Sequence, residues 1–204
     1  VAEPNVTVEI VEQDQPLPGD AALVILPGSK STISDLENFR INGWGIDLQA
    51  HHRRGGHIIG ICGGYQMLGR KVHDPDGIEG APRSIDGLGY LNIETTMVPK
   101  KNLSLTEAYS AETNTPVSGY EIHLGQSSGT DCQNPWLNLA DRHEGAISAD
   151  GLVRGCYLHG LFASDGFRTE VLTMLGTQSQ LASYDAAVEE TLDRLASFIE
   201  QHLD

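Results

Sequence analysis

The chain has 204 residues, 39% of them hydrophobic and 20% charged, which is sufficient length and apolar content for a domain with its own core. A formal charge of −15 argues against a protein that binds nucleic acid or an anionic membrane, because phosphate binding requires clustered Lys and Arg. The three cysteines cannot all pair and show no C-x-x-C spacing, so the sequence predicts a cytoplasmic protein without a zinc site.

The first third of the chain predicts parallel β-α-β structure. Apolar and polar residues alternate over residues 6–11, and a continuous apolar run covers residues 21–26, so we expect two strands there, the second buried on both faces. Helical patterns over residues 32–40 and 45–53 precede a further short apolar strand at residues 57–61. Short apolar strands separated by helices predict a parallel sheet with right-handed crossovers.

The middle of the chain predicts strands joined by turns. Residues 74–83 are rich in Gly, Pro and charge, which is typical of a surface loop. The strand-like segments that follow are residues 88–98, 117–124, 145–148 and 152–158. Ala149-Asp150-Gly151 predicts a hairpin turn between the last two, because Asp-Gly tolerates the positive φ that such turns need.

Two helices are predicted at the end of the chain. The first covers residues 166–175, with Ser164 or Asp165 as its N-cap and Gly176 at its end. The second covers residues 186–203 and carries an apolar stripe at helical spacing, formed by Val188, Leu192, Leu195 and Ile199. We expect this stripe to pack into the core.

One motif joins the end of a strand to the start of a helix, namely Gly60-Ile61-Cys62-Gly63-Gly64. It has the G-x-nucleophile-x-G form of a nucleophile elbow, with cysteine in the position of serine. Its glycines permit a sharp turn, and the N–H groups that open the next helix favour a thiolate at Cys62. The alternative for this motif alone is a buried structural cysteine beside a tight turn.

A nucleophilic cysteine also needs a proton carrier, for which His159 is the best placed of the eight histidines. It follows the strand-like residues 152–158, so it is expected at the carboxyl edge of a strand, as Cys62 is. An ordinary histidine at a strand end is the alternative. The histidines at positions 51, 52 and 57 fit no metal-binding spacing, so no metal ligand is predicted.

An oxyanion site is predicted from backbone N–H groups. One donor is Gly63, which follows the nucleophile, and a second comes from the loop at Gly28 and Ser29. Residues 27–31 echo a phosphate loop, but Ser29 occupies the place of its second glycine, which favours an oxyanion loop over an ATP site.

A third polar cluster, residues 119–125, contains Tyr120, Glu121 and His123. These side chains are candidates for binding a polar substrate. The alternation of Tyr120 and Ile122 with Glu121 and His123 also fits a half-buried strand with one solvated face, and spacing alone leaves both interpretations open.

Four motifs in this order resemble the C-terminal glutamine amidotransferase domain of the cobyric acid synthase family, which belongs to the cobalamin pathway. No single motif is decisive, but four in series are specific, and the resemblance runs through nearly the whole chain. The motifs are Leu26-Pro27-Gly28-Ser29-Lys30-Ser31-Thr32-Ile33-Ser34-Asp35-Leu36, Gly60-Ile61-Cys62-Gly63-Gly64-Tyr65-Gln66-Met67-Leu68-Gly69, Gly119-Tyr120-Glu121-Ile122-His123-Leu124-Gly125 and Gly155-Cys156-Tyr157-Leu158-His159-Gly160-Leu161-Phe162.

The resemblance implies a class I glutamine amidotransferase-like fold. This is an α/β, flavodoxin-like architecture whose mostly parallel sheet is flanked by helices and carries the nucleophile elbow. It also implies Cys62 as the nucleophile, His159 as its partner and Gln66 as a contact to the glutamine substrate. Many class I enzymes have His-x-Glu, whereas this chain has His159-Gly160-Leu161. The histidine is therefore expected to act in a dyad or to be oriented by another group, such as Asp165 or a backbone carbonyl.

The resemblance further implies that residues 1–204 are the glutaminase domain of a longer chain with an N-terminal ATP-dependent synthetase domain. No cofactor is expected in this domain, while ATP, Mg²⁺ and most contacts to a corrinoid acceptor are expected in the synthetase domain. Ammonia from glutamine would amidate the b, d, e and g carboxylates of (adenosyl)cobyrinic acid a,c-diamide to give cobyric acid.

Other interpretations of the sequence stay open at this point. The same glutaminase chemistry could serve cobyrinic acid a,c-diamide synthase or the amidation of a peptidoglycan precursor. A cysteine peptidase or deglycase of related fold is a second alternative, and a non-catalytic docking domain is a third.

Overall fold

A computed structural model describes residues 3–202, except for the side chains at positions 100–102. The helices are α1 (Thr32–Ile41), α2 (Trp44–Arg53), α3 (Gly63–Leu68), α4 (Asp165–Met174) and α5 (Tyr184–His202). The strands are β1 (Leu23–Leu26), β2 (His57–Ile61), β3 (Lys71–Asp74), β4 (Arg83–Asp86), β5 (Ile93–Ser110), β6 (Pro116–Gly129), β7 (Leu137–Leu139), β8 (His143–Glu144), β9 (Ala146–Ile147), β10 (Val153–Cys156) and β11 (Leu158–His159).

A mostly parallel sheet lies at the centre, with strand order β1-β2-β10-β9. Strand β2 is parallel to both β1 and β10, and only β9 runs antiparallel to its neighbour. The register pairs Leu26 with Gly60 and Cys156 with Ile61, so the carboxyl ends of three strands meet at one edge. The predicted parallel sheet and the predicted α/β fold are confirmed, and this edge carries the nucleophile elbow.

Helices cover both faces of this sheet because successive residues of a strand point to opposite sides. Ile58 of β2 packs in a cluster with Leu36 of α1 and Leu48 of α2. Its neighbour Ile59 packs in a second cluster with Trp136 and with Phe167 of α4. The core is therefore divided between two layers that both rest on β2.

A second, mainly antiparallel sheet has the order β11-β6-β5-β3-β4; β7 also pairs with β5, and β8 pairs with β7. Its longest part is the ribbon of β5 and β6. The chain passes from the first sheet to this one between β10 and β11, where the N–H of Tyr157 donates to the carboxylate of Glu144 at 2.8 Å instead of continuing a strand ladder. The segment predicted as one strand, residues 152–158, is for this reason two strands in two sheets.

Several other predicted boundaries are shifted by long-range pairing. Residues 88–91 donate backbone hydrogen bonds to Met67, Leu68 and Gly69, so β5 begins only at Ile93 and not at residue 88. The predicted surface loop is confirmed between positions 74 and 83, although Asp74 and Arg83 themselves pair as the ends of β3 and β4. The predicted hairpin turn is also confirmed, with Gly151 at φ +74°.

The strand predicted at residues 6–11 is wrong. This segment pairs with no strand among the described residues, and its side chains Val8 and Ile10 are 58% and 79% exposed. The predicted burial of both faces of the next strand is also wrong, since β1 forms the edge of its sheet and Ile25 is 44% exposed. Alternation identifies a segment suited to a ladder, but a strand forms only where a partner supplies the other half of the hydrogen bonds.

The closing helices form where they are predicted. Ser164 occupies the N-cap position of α4, and Gly176 follows the helix with φ +78°. Helix α5 begins at Tyr184, while the predicted last residue, Leu203, lies outside the described residues. The expectation that its apolar stripe packs into the core is wrong, because α5 contains no buried residue within its described length.

Across residues 3–202, no helix combines the length and the hydropathy required to cross a membrane.

Candidate active site

Cys62 lies at the turn between β2 and α3, in a strained backbone conformation with φ 51° and ψ −108°. A positive φ at a non-glycine residue costs about 1–3 kcal/mol and is found preferentially at functional sites. The surrounding structure holds this conformation through hydrogen bonds from the N–H of Cys62 to the carbonyl of Cys156 (2.8 Å) and from the N–H of Gln66 to the carbonyl of Cys62 (3.1 Å). The predicted nucleophile elbow is thus present in the backbone.

The glycines of the elbow allow close packing against the loop that follows β1. A Cβ on Gly64 would lie 2.0 Å from the carbonyl oxygen of Leu26, and one on Gly63 would lie 2.8 Å from the backbone nitrogen of Ser29. The N–H of Gly64 donates to the carbonyl of Pro27 at 3.1 Å. Because no side chain fits at either glycine, the sequence keeps the elbow and the loop in contact.

The same packing brings the two predicted oxyanion donors, Gly63 and the loop at Gly28 and Ser29, next to each other. The loop is held in shape by Ser29, whose hydroxyl donates to Asp35 at 2.5 Å and accepts from the N–H of Ser31 at 2.9 Å. Backbone N–H groups held in advance around a reacting carbonyl are what an oxyanion site requires. That these groups bind an oxyanion stays a prediction.

Cys62 and His159 both lie against Gly28. A Cβ built on Gly28 would be 3.7 Å from Cβ of Cys62, 2.9 Å from Cε1 of His159 and 3.7 Å from its Nδ1. The two residues predicted to form the catalytic pair lie directly after β2 and in β11, 97 positions apart in sequence, and the fold places them around one glycine. The absence of a side chain at position 28 leaves the space between them open.

His159 is oriented by an aromatic ring. Tyr120 stacks on the imidazole with 5.0 Å between ring centroids and 8° between ring planes. Nε2 of His159 is buried with no hydrogen-bond partner among the described residues. Burial lowers the pKa of His159, and the nearby His123 lowers it further; both effects favour the neutral, proton-accepting form of the ring.

Asp165, one of the orienting groups left open by the sequence, is engaged elsewhere. Its Oδ1 accepts hydrogen bonds from Nη2 of Arg168 at 2.7 Å and from the N–H of Tyr184 at 2.8 Å. Its carboxylate serves the junction between α4 and α5. The contact described for the face of the His159 ring is the stack with Tyr120.

The third polar cluster lies beside the nucleophile, since the thiol of Cys62 donates to the carbonyl of Ile122 at 3.6 Å. Glu121 is buried and forms an ion pair with Arg142 and a 3.4 Å contact with Nε2 of His123. Its hydrogen bond with His123 lowers the pKa of Glu121; burial opposes this, and Arg142 adds to the lowering. This part of β6 is therefore a charged strip next to Cys62. Because Glu121 is buried, the alternative interpretation of a solvated strand face does not describe it.

The His123 ring and the Gln66 side-chain amide are linked through Tyr157. His123 stacks on Tyr157 with 3.8 Å between centroids, and its Nδ1 lies 2.8 Å from the carbonyl of Gly125. Gln66 is 2% exposed and donates to the Tyr157 hydroxyl at 3.3 Å, while its amide oxygen accepts from the hydroxyl of Thr32 at 2.9 Å. The structure thus gives both ends of the Gln66 amide a protein partner, and its contact with glutamine stays a prediction.

Sequence reasoning missed Arg142, Tyr157 and Thr32 as members of this network. Arg142 belongs to the short turn between β7 and β8, which in sequence looks like any polar loop. Tyr157 lies in the segment interpreted as a continuous strand, and Thr32 at the start of α1. Each joins the site only through contacts across the fold, and no local pattern marks them.

Two other cysteines and a surface cleft also occur in the described part of the chain. Burial raises the pKa of the Cys156 thiol well above its ordinary value, and burial also raises that of Cys132, so neither thiol suits nucleophilic attack. A cleft of about 640 Å³ is lined by residues that include Arg70, Tyr90 and Asp150. None of the predicted site residues lines that cleft.

Comparison with solved structures agrees with the fold. A crystal structure of a glutamine amidotransferase aligns with a TM-score of 0.57 over 76% of this chain and 80% of that chain, at 18% sequence identity. The structure of PurLQS from Thermotoga maritima aligns with a TM-score of 0.54 over 82% of this chain and 78% of that chain, at 19% identity. At these identities the likeness supports the class I glutamine amidotransferase-like fold alone.

Sequence comparison is more specific. The chain is 58% identical over 203 residues to a cobyric acid synthase from Ruegeria sp., 52% identical to one from Cereibacter sphaeroides and 54% identical to one from Allorhizobium ampelinum. These alignments cover 99–100% of this chain and 42% of each relative, so the chain spans less than half the length of the relatives it matches. The sequence model for the CobB/CobQ-like glutamine amidotransferase domain matches residues 1–167. The chain therefore belongs to the CobB/CobQ-like glutamine amidotransferase domain family.

Proposed function

We propose that this chain is the glutaminase domain of a cobyric acid synthase and hydrolyses glutamine through Cys62 and His159. The observation that carries the proposal is the position of these two residues around Gly28, with Cys62 on a strained elbow and His159 beneath the ring of Tyr120. A nucleophile on an elbow beside a neutral imidazole is the arrangement used for covalent hydrolysis of amides.

In the first half of the reaction, His159 takes the thiol proton while the sulfur of Cys62 attacks the side-chain amide carbon of glutamine. A C–S bond forms, and the carbonyl oxygen becomes an oxyanion that accepts hydrogen bonds from the N–H groups of Gly63 and Ser29. His159 then gives its proton to the amide nitrogen, the C–N bond breaks, and ammonia leaves a glutamyl thioester on Cys62. The lowered pKa of His159 suits it to both transfers.

In the second half, His159 removes a proton from a water molecule that attacks the thioester. The C–S bond breaks, the thiol recovers its proton and glutamate is released. We propose that Tyr120, Glu121 and His123, the side chains next to the carbonyl of Ile122, bind the polar end of glutamine; their proximity to Cys62 supports this. Gln66, the further proposed contact to glutamine, is linked to these side chains through Tyr157.

The acceptor of the ammonia is proposed from the relatives. They are cobyric acid synthases more than twice as long as this chain. We place an ATP- and Mg²⁺-dependent synthetase domain in the remainder of the full-length enzyme. There the ammonia amidates the b, d, e and g carboxylates of (adenosyl)cobyrinic acid a,c-diamide to give cobyric acid.

The test is labelling of the full-length enzyme with 6-diazo-5-oxo-norleucine, an electrophilic glutamine analogue, followed by peptide mass mapping. We expect one adduct on Cys62, prevented by excess glutamine, absent in Cys62→Ser and unchanged in the control Cys132→Ser. Absence of the adduct in the wild-type enzyme would remove the glutaminase proposal and favour the non-catalytic docking domain. If Cys62 is labelled, and the unlabelled enzyme releases ammonia from glutamine without amidating the corrinoid, the glutaminase proposal stands and the proposed acceptor is rejected.

A further inference from the structure

Helix α5 presents an apolar face that contains no buried residue and belongs to no hydrophobic core cluster within residues 3–202. The face consists of Val188, Leu192, Leu195, Phe198 and Ile199, which lie on one side of the helix and are 37–58% exposed; it is called the α5 stripe below. Contiguous exposed apolar side chains bordered by polar residues mark an interaction surface. We propose that the α5 stripe docks on the synthetase portion of the same full-length enzyme.

The base of α5 is fixed to the domain, so the helix has a defined direction. Asp165 accepts from the N–H of Tyr184, the first residue of α5, at 2.8 Å. The buried carboxylate of Glu3 accepts from Nε of Arg168 at 2.6 Å and from the N–H of Leu181 at 3.3 Å, just before the helix begins. A helix anchored in this way suits docking in one place, because its orientation is set before the partner is met.

Helix α5 lies outside the residues that match the family model. The match to the family model ends at residue 167, whereas α5 begins at Tyr184. The alignments with cobyric acid synthases nevertheless cover 99–100% of the chain. A segment that corresponds to α5 is therefore present in the full-length relatives and lies beyond the residues matched by the family model, as expected of a surface that contacts the remaining portion of the enzyme.

More than half the length of those relatives lies outside this chain, which leaves room for an interface between domains. A second copy of this chain is a poor occupant of the stripe. Residues 184–202 contain five carboxylates and a single guanidinium, and the whole chain carries a formal charge of −15, so two copies would bring like charges together. The occupant that fits is an apolar groove edged by basic side chains, which would receive the helix face.

This inference rests on the proposed function only for the identity of the partner, and its test does not require turnover. Single cysteines are introduced in the full-length enzyme at Leu195→Cys, on the stripe, and at Ser197→Cys, an exposed position on the opposite face of α5. The native enzyme is reacted with N-ethylmaleimide, and the modified peptides are quantified by mass spectrometry. The same reaction in urea, where both positions are open, corrects for intrinsic reactivity.

We expect alkylation at Leu195→Cys to be slower than at Ser197→Cys by about tenfold or more, as for a site exposed only by local opening. Equal rates in the native enzyme would overturn the proposal. Protection that disappears on dilution, as a dimer separates into monomers, would assign the stripe to a second copy and would also overturn it. A glutaminase-inactive enzyme with a protected Leu195→Cys would reject the proposed chemistry and retain the docking surface.

Discussion

The phenol ring of Tyr120 lies parallel to the imidazole of His159, with 5.0 Å between centroids and 8° between planes. The two residues are paired across β6 and β11, so the strand ladder sets their spacing while the stack sets the plane of the imidazole. In this chain Leu161 replaces the glutamate of a His-x-Glu sequence, and Asp165 is bound to Arg168. We therefore expect the stack with Tyr120 to orient the imidazole, as a carboxylate does in a His-x-Glu sequence.

Replacement of Tyr120 by alanine is expected to lower kcat/KM for glutamine hydrolysis while the protein stays folded. An aromatic pair contributes about 0.5–1.5 kcal/mol beyond burial, which corresponds to a factor of about 2 to 10 in rate if the stack is what aligns the ring. Tyr120→Phe keeps the stack and should remain within about twofold of the wild type. Equal losses in both variants would assign the effect to the hydroxyl and contradict the stacking role.

Replacement of Gly28 by alanine is expected to abolish most activity. The added Cβ would lie 2.9 Å from Cε1 of His159, so the imidazole must move away from Cys62. A displacement of about 1 Å at a reacting group can cost about 100-fold in rate. The matched control is Gly45→Ala in α2, where a Cβ meets nothing within 4 Å. Steady-state glutaminase assays and circular dichroism of both variants provide the comparison, and an active Gly28→Ala enzyme would refute the proposed geometry.

The pH profile of kcat/KM should show an acid limb below the ordinary histidine pKa of about 6.5. Burial lowers the pKa of His159 and the neighbouring His123 lowers it further, so the ring stays neutral and able to accept the Cys62 proton at lower pH than an exposed histidine would. His123→Gln removes the second cause and should move the acid limb to higher pH. His73→Gln, on β3, is the control and should leave it in place. An unmoved limb in His123→Gln would exclude electrostatic coupling of the two rings.

Glu3→Gln is expected to destabilise the protein in a pH-dependent way. Burial alone would raise the pKa of Glu3, but hydrogen bonds from Ser179, Arg168 and the backbone N–H groups of Gln180 and Leu181 lower it from 4.5 to about 2. Because the folded pKa lies below the unfolded one, this carboxylate stabilises the fold fully above pH 4.5, and its contribution is lost as the pH falls to about 2.

The expected loss for Glu3→Gln is about 2 kcal/mol at neutral pH, since hydrogen bonds to a charged group are replaced by neutral ones. Thermal unfolding at pH 7 and pH 3 measures it, and the difference from the wild type should shrink at the lower pH. Glu9→Gln, at an exposed position, is the control with no expected change at either pH. A wild-type Tm for Glu3→Gln at pH 7 would show that this network does not support the base of α5.

Much of the local structure could be predicted from the sequence because its causes are local. Helices α1, α2 and α4 follow from periodicity and terminal residues, and strand β2 from a short apolar run before a glycine. The elbow at Cys62 was also predictable, since the glycines around it determine which backbone turns are accessible. The carboxyl edge of a parallel sheet gathers the ends of several strands, which is why both Cys62 and His159 were expected there. This holds only in part for His159, because β10 ends at Cys156 and His159 belongs to β11 of the second sheet.

Only the tertiary structure decided which groups meet. The partners of Gln66, the ion pair of Glu121 with Arg142 and the stack of Tyr120 on His159 join side chains from different elements, and pairing across such distances leaves no trace in a local pattern. The same reason explains the two main errors, at residues 6–11 and on the α5 stripe. In each case the sequence by itself determined that an apolar face exists, whereas burial depends on whether another surface is available to cover it.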